Sequence, residues 1–221
     1  MEHPHCAICQ KKFCYEGIKK DTRLPDFCPL KTSDSLIQEV NELYQKEEIN
    51  NFYLQSALTE KEGYDERAAR DKNIIIPLKP RIREIAEFAQ KINAKQIGMA
   101  FCSGLADEAA RACAILEGHG IRVYSVICCC GALDKTEVGI PAEYKIRSPK
   151  EYEAACNPLL QARLLNRAKT SFNIIVGLCV GHDMLFTKYS EAPVTTLIVK
   201  DRFTGHNPVI SLYTKYHRFI V

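Results

Sequence analysis

The sequence predicts an α/β protein with a parallel, Rossmann-like sheet of about four or more strands flanked by helices, plus a small cysteine-rich N-terminal segment. From Pro80 onward, short apolar runs alternate with stretches whose apolar residues recur at helical spacing. Each apolar run is long enough for a strand and too short for a helix. Strands that alternate with helices in this way pair in parallel and lie buried between two helical layers.

The α/β region divides into elements as follows. PRIREIAEFAQKINA is an amphipathic helix, QIGMAFC a strand, GLADEAARACAILEGHG a helix ending at glycine, and IRVYSVIC a strand. After a long loop come the helix LLQARLLNRAKTS, the strand FNIIVGLC, the helix GHDMLFTKYSE and the strand VTTLIVK. A last short helix is expected within PVISLYTKYHR.

Three regions are predicted along the chain. Residues 1–33 form a cysteine-rich, metal-binding segment, because they hold four cysteines and few branched aliphatic residues. Residues 34–79 form a helical connector that opens at a Ser-Asp cap, with apolar residues at helical spacing. Residues 80–221 form the α/β domain with a cysteine-lined cleft.

Composition and charge exclude several classes of protein. The net charge of +3 arises from 30 basic and 27 acidic residues without a long basic run, which argues against nucleic acid binding. Met1 is followed by the polar stretch EHPHCAICQKKF, and no segment approaches the roughly 18 apolar residues that span a bilayer. We therefore expect a cytoplasmic protein that does not enter a membrane.

The chain contains eleven cysteines, an odd number. In a reducing cytoplasm, so many cysteines indicate metal binding or reactive thiols and not a disulfide framework. Two sets of four cysteines can be distinguished by their positions.

The first set lies in the N-terminal segment with the pattern C-x2-C-x4-C-x13-C-P: Cys6, Cys9, Cys14 and Cys28. The x2 spacing lets two thiolates reach one metal from a single turn, and the other two can complete tetrahedral coordination. The spacing does not separate zinc from an iron–sulfur cluster. The alternative is four unrelated cysteines in a flexible leader.

The second set comes from the α/β region. Cys102, Cys128 and Cys179 each close a predicted strand, and the carboxyl ends of parallel strands form the ligand-binding edge of such a sheet. Cys156 precedes a helix that begins near Pro158, and a helix N-terminus lowers a thiol pKa. We predict that these four sulfurs share one cofactor-binding site, the alternative being packing as small apolar residues.

Three further cysteines are treated separately. Cys113 lies in the helical stretch ARACAIL without polar neighbours, and we interpret it as a packing residue. Cys129 and Cys130 follow Cys128 directly, so any of the three could be the ligand, and the roles of the other two stay open. We choose Cys128 because it closes its apolar run.

Polar residues follow the same strand ends and are candidates for catalysis. His182 and Asp183 come after Cys179 and are expected to move protons. Lys135 or His206 is expected to orient a small anionic substrate. The chain has no P-loop, GxGxxG or GxSxG motif that would name a substrate.

Several stretches together resemble an uncharacterised prokaryotic family, labelled a domain of unknown function or predicted metal-binding protein: CAIC, AFCSGL, ACNPLLQARLLN, VGLCVGHDMLF, KYSEAPVTTLIVKDR and GHNP. The resemblance covers nearly the whole chain. It implies metal binding through the cysteines, and the family's occurrence in anaerobes is compatible with oxygen-sensitive clusters. The family pattern has a cysteine at Cys128 and other residues at Cys129 and Cys130, where this chain departs from it.

The leading functional hypothesis is a metal-binding protein with two cysteine-ligated centres. At least one is a [4Fe–4S] cluster, and the one in the α/β cleft acts on a small anionic ligand. The alternatives are a zinc-stabilised metal or redox sensor without catalysis, with zinc at the N-terminal site, and a two-cluster electron-transfer protein that needs a redox partner. The sequence does not determine whether the protein is an enzyme, which reaction it would catalyse, or its oligomeric state.

Overall fold

The computed structural model describes residues 4–19, 22–69, 71 and 75–214 of the 221. The helix predicted within residues 208–218 is found as a short helix at Val209–Tyr213, and residues 215–218 of that prediction lie outside the described residues.

The chain divides into two compact units, one up to Leu58 and one from Thr59 onward. The division falls inside the segment predicted as a helical connector. The described residues of the first unit form the helices α1 (Phe13–Glu16), α2 (Pro29–Thr32) and α3 (Asp34–Leu43) and most of α4 (Glu47–Glu62).

Few side chains of the first unit are buried. α2 begins with Pro29 at its first position, where the missing N–H costs nothing, and packs against α3. None of the described side chains in α3 or α4 is buried. Cys28, just before α2, is an exception, with 6% of its surface exposed.

The second unit holds the sheet and five helices of the α/β region: α5 (Arg81–Lys91), β1 (Gln96–Phe101), α6 (Ala106–Gly118), β2 (Arg122–Ile127), α7 (Pro158–Arg167), β3 (Asn173–Val176), α8 (His182–Tyr189), β4 (Val194–Ile198) and α9 (Val209–Tyr213).

The four strands form one parallel sheet in the order β2-β1-β3-β4. Gln96 is opposite Arg122, and Gly98 is opposite Asn173. The predicted α/β fold with a four-stranded parallel sheet flanked by helices is therefore confirmed.

The strand order creates a crevice at one end of the sheet. The chain moves from β1 to β2 on one side and then returns past β1 to place β3 on the other side. Right-handed crossovers in opposite directions put α6 and α7 on opposite faces. The crevice outside the carboxyl ends of β1 and β3 is the topological switch point, where ligands bind in folds of this class.

The core fills the space between the sheet and its helices. Ile97, Met99 and Ile174 on the central strands are fully buried. Leu165 of α7 and Phe186 of α8 are likewise removed from solvent. Burying such a side chain contributes about 1.5–3 kcal/mol, so this layer is the main stabilising feature of the unit.

One predicted strand is shorter than expected. The segment FNIIVGLC was predicted as strand up to Cys179, but β3 ends at Val176. Gly177 has φ +66° and turns the chain away from the sheet. Cys179 therefore lies in the turn that leads to α8 and not at the last position of a strand.

No helix among the described residues is both long and apolar enough to cross a membrane.

Candidate functional site

Four cysteines of the second unit come together at the carboxyl edge of the sheet, and we call them the thiol cluster: Cys102, Cys128, Cys156 and Cys179. Cys102 follows β1 directly and Cys128 follows β2 directly. Cys179 comes three residues after β3. The cluster thus includes cysteines from both sides of the switch point.

Cys156 reaches the cluster because the loop before it folds back on itself. The N–H of Asn157 donates to the carbonyl of Cys128 at 2.6 Å, which closes the loop at its base. Further along, the N–H of Ala155 donates to the carbonyl of Leu133 at 2.8 Å. The Asn157 side chain then caps the start of α7. A cysteine 28 positions after Cys128 is thereby held beside it.

The same loop is held together by Asp134, which is 8% exposed. Its carboxylate accepts hydrogen bonds from the Lys145 ammonium at 2.9 Å, from Thr136, and from the N–H of Glu153 at 2.8 Å. The bond from Lys145 contributes most to holding the pKa of Asp134 far below its usual range. Lys135 forms an ion pair with Glu153, so its charge is used inside this loop.

The sulfur of Cys128 accepts the N–H of Ser103 at 3.3 Å. The neighbouring thiol of Cys156 is the largest cause of the lowered pKa of Cys128, which holds although burial opposes it. Cys128 in turn raises the pKa of Cys156, as do burial and the nearby sulfurs of Cys102 and Cys179.

Two cations from the loop after β4 contact the other two thiols. Lys200 Nζ lies 3.1 Å from Cys102 Sγ, and Arg202 Nη2 lies 2.9 Å from Cys179 Sγ. Lysine and arginine can only donate, so the sulfurs are the acceptors. Sequence reasoning missed both residues. Their position directly after a strand of the same parallel sheet was the signal that could have identified them.

Three helices begin beside the cluster. α6, α7 and α8 start shortly after Cys102, Cys156 and Cys179, respectively. A helix N-terminus carries partial positive charge, which stabilises anions in its first turn. Together with the two cations, these helix ends make the crevice a place that favours negative charge.

His182 and Asp183 lie at the start of α8, and their N–H groups donate to the carbonyl of Cys179 at 3.0 and 3.1 Å. Asp183 also lines a small cavity of about 80 Å³ together with Lys200. Both residues are thus next to the cluster through the backbone. Their proposed part in proton transfer remains a prediction.

The structure gives His206 and Lys135 other partners. His206 has φ +69°, and its Nδ1 accepts the N–H of Asp201 at 3.1 Å, so its ring shapes the loop after β4. Lys135 is paired with Glu153 as described above. Among the hydrogen bonds of the described residues, neither contacts a sulfur of the thiol cluster. Lys200 and Arg202 are the cations that contact sulfurs of the thiol cluster among the described residues.

Of the remaining cysteines of this unit, Cys129 and Cys130 lie near the sulfur of Cys128, which helps to raise the pKa of both, and Cys113 lies apart. Cys113 packs against the core, its sulfur 3.7 Å from that of Met99, and burial raises its pKa. Burial is also the main cause of the raised pKa values of Cys129 and Cys130. The thiol of Cys130 donates weakly to the Asn157 carbonyl at 3.9 Å.

The N-terminal cysteines belong to the first unit. Cys6 and Cys14 are exposed, Cys9 is half-buried and Cys28 is buried. The N–H of Cys9 donates to the carbonyl of Cys6 at 3.0 Å, which forms the tight turn expected of the x2 spacing. In the described parts of the chain, no three His, Cys, Asp or Glu side chains are arranged to hold a metal ion.

The fold and the site define an α/β protein with a four-stranded parallel sheet and a thiol-rich switch point. The chain belongs to a family described as a protein of unknown function (DUF1847), whose model matches residues 28–197. It is also 41% identical over 214 residues to the uncharacterized protein MJ0455 of Methanocaldococcus jannaschii, covering 96% of this chain and 95% of that protein. The resemblance to an uncharacterised prokaryotic family is therefore confirmed.

Proposed function

We propose that the thiol cluster binds a metal centre, in the first instance a [4Fe–4S] cluster. The observation that supports this most directly is the convergence of sulfurs on Cys128. The thiols of Cys156 and Cys102 are close enough to lower its pKa, and the fourth sulfur, that of Cys179, lies within electrostatic range of Cys156. Thiolates are the preferred ligands of iron–sulfur clusters and soft ions.

The surroundings of the cluster support an anionic centre. The Ser103 N–H, Lys200 and Arg202 all donate to its sulfurs. Hydrogen bonds and positive charge around thiolate ligands stabilise the more negative redox state of a cluster. A bound centre at the switch point would also be accessible to a small anionic ligand, with His182 and Asp183 as proton carriers.

A second centre is proposed at the N-terminal cysteines, with [4Fe–4S] or zinc as its metal. The supporting observations are the tight turn that joins Cys6 to Cys9 and the scarcity of buried side chains in the first unit. A small segment without its own core is commonly ordered by a metal.

The test is elemental analysis of protein purified without oxygen. We expect iron and acid-labile sulfide for a cluster, and zinc without sulfide for the alternative at the N-terminus. Cys179→Ser should remove the centre of the thiol cluster, and Cys9→Ser should remove the N-terminal one. Cys113→Ala is the matched control, since it deletes a thiol that packs against the core. Equal metal content in all four proteins would contradict both assignments.

A second candidate function, thiol-based redox sensing, is favoured by the Cys128–Cys156 pair. A deprotonated sulfur beside a protonated thiol is the arrangement that starts disulfide formation. Treatment of metal-free protein with a small disulfide oxidant should then yield one internal disulfide and two equivalents of the reduced oxidant. Peptide mass mapping would show whether it joins Cys128 to Cys156.

A further inference from the structure

A second cavity of the α/β unit lies at the opposite end of the sheet from the thiol cluster. Its volume is about 440 Å³, within the range of pockets that hold small molecules. β1 has six residues, each advancing the chain by about 3.3 Å, so the cavity and the thiol cluster lie about 20 Å apart. The cavity, which we call the amino-edge cavity, is lined by the segments that enter β1, β2 and β3: Asn93, Lys95, Gln96, Arg122, Lys169 and Ser171.

The charged residues of the amino-edge cavity are all positive. Lys95, Arg122 and Lys169 line it, and among the described residues no carboxylate does. None of the three cations forms an ion pair with another described residue. Three like charges around one space repel one another, and an anion between them removes that repulsion.

The ends of the neighbouring helices do not account for these cations. The carbonyls at a helix C-terminus carry partial negative charge and favour a cation in the last turn. α5 and α7 already have such a cation there, in Lys91 and Arg167. The amide of Gln96 also donates to the carbonyls of Ala168 and Lys169 at 2.7 and 3.2 Å. The cations of the cavity are therefore additional to those that the helix ends use.

Lys169 occupies a backbone position at which glycine is preferred. It lies two residues after the end of α7 and has φ +53°. Left-handed backbone just after a helix is usually glycine, because a side chain adds strain there. Asn93 has the same conformation after α5, with φ +55°, but asparagine tolerates it well. Natural proteins break such local rules mainly at functional sites, which points to a use for the Lys169 side chain.

We infer that the amino-edge cavity binds a small polyanion with two or more linked phosphate groups. Three cations match the charge of such a group better than that of a single carboxylate. The guanidinium of Arg122 can donate to two phosphate oxygens at once, and the two lysines act as point charges. Every lining residue is polar, so the enclosed part of the ligand is its phosphate part and not an apolar ring. The site shares no residue with the thiol cluster.

The test is a calorimetric titration of the whole protein with inorganic pyrophosphate at constant ionic strength. We expect saturable binding, about tenfold or more tighter than that of inorganic orthophosphate, because the second phosphate reaches further cations. Arg122→Gln and Lys169→Gln should each weaken pyrophosphate binding about fivefold or more. Combining both with Lys95→Gln should abolish it.

Arg111→Gln is the matched control for Arg122→Gln, since it removes an exposed arginine of α6 that does not line the cavity. It should leave pyrophosphate binding unchanged. Lys169→Gly separates binding from folding, because it removes the charge and the backbone strain together. This variant should bind pyrophosphate as weakly as Lys169→Gln, with a free energy of unfolding no lower than that of wild type.

An absence of saturable pyrophosphate binding by wild type would overturn the inference. Binding that survives in the triple variant, or that Arg111→Gln weakens as much as Arg122→Gln does, would overturn it as well. Equal affinities for orthophosphate and pyrophosphate would contradict the ligand class. A single-stranded oligonucleotide that binds at these cations more tightly than pyrophosphate, with an affinity that grows with its length, would also overturn the small-molecule assignment.

Discussion

The N–H of Asn157 donates to the carbonyl of Cys128 at 2.6 Å and so holds Cys156 beside Cys128, where the pKa of Cys128 is lowered and that of Cys156 is raised. The pair forms because Asn157 closes the loop base onto Cys128. Two coupled thiols of this kind titrate as a unit, with the first proton leaving easily and the second reluctantly.

Removing the Cys156 thiol should restore an ordinary thiol pKa at Cys128. In Cys156→Ala, we expect the pKa of Cys128 to rise towards the usual value of about 8.5, since the largest stabilisation of its thiolate is lost. The measurement is the ultraviolet thiolate absorbance of metal-free protein against pH, taken as the difference from a Cys128→Ala derivative. Cys113→Ala should leave this titration unchanged. If the pKa of Cys128 is the same in Cys156→Ala as in wild type, then Ser103 and Cys102 are sufficient to lower it.

The pair should also give the stability of the metal-free protein a characteristic pH dependence. Because folding lowers the pKa of Cys128, this thiol stabilises the folded protein above its unfolded-state pKa near 8.5. That stabilisation is lost as pH falls towards its folded-state pKa. Because folding raises the pKa of Cys156, this thiol stabilises the folded protein below about pH 8.5, and that stabilisation is lost as pH rises further.

The two effects together predict a maximum in the contribution of the pair near the ordinary thiol pKa. On the acid side the unfolded chain binds more protons than the folded one, and on the alkaline side it binds fewer. Denaturant unfolding of wild type and Cys128→Ala across this range gives the difference directly. A difference in the free energy of unfolding that is flat with pH would rule out the opposite pKa shifts of Cys128 and Cys156.

Much of the fold could be predicted from the sequence, because alternating apolar strands and amphipathic helices leave few arrangements other than a parallel sheet. The sequence could also place Cys102 and Cys128 at one edge, since each directly follows a strand. Cys156 could be included only through its place before a helix, since its proximity to Cys128 depends on hydrogen bonds across a loop without periodicity.

The cations of the site were harder to predict for a related reason. Lys135 and His206 were candidates because they lie in loops that follow strands. Lys135 forms an ion pair with Glu153, and His206 accepts the N–H of Asp201. Lys200 and Arg202 lie in a similar loop, and only their side-chain directions distinguish them. Side-chain direction in a loop depends on tertiary contacts, which no spacing rule provides.

Gln161 should be a sensitive position in the scaffold of the site. It is fully buried, and its amide nitrogen donates to the carbonyls of Phe101 and Val126 at 3.3 and 2.7 Å. Phe101 is the last residue of β1 and Val126 the last but one of β2, so each carbonyl lies within two residues of a cysteine of the cluster. Gln161→Leu leaves them without this donor, and we expect a loss of about 1–3 kcal/mol in the free energy of unfolding.

The matched control is Gln90→Leu, the same substitution at an exposed residue whose amide donates to the carbonyl of His119 at 3.1 Å. It should change stability by about 0.5 kcal/mol or less. Denaturant unfolding of both variants measures the contrast. Similar small changes in the two would mean that the strand ends do not depend on Gln161.

Gly177 should be indispensable for the turn that brings Cys179 to the cluster. Its φ of +66° disfavours any side chain, and an added Cβ would lie 2.1 Å from Cδ1 of Leu105, itself 1% exposed. Gly177→Ala therefore combines backbone strain with overpacking, for an expected loss of about 2 kcal/mol or more. Since the clash is at the start of the turn that holds Cys179, we also expect Cys179 to contribute less to the raised pKa of Cys156.

Gly120→Ala separates the two effects, because Gly120 has φ +79° but no atom within 4 Å of an added Cβ. It should cost only the backbone strain, about 1–2 kcal/mol. The difference between the two variants in the free energy of unfolding lost measures the cost of the clash with Leu105. If Gly177→Ala is no less stable than Gly120→Ala, then Leu105 can move aside, and the position of Cys179 does not depend on the close approach of Leu105 to Gly177.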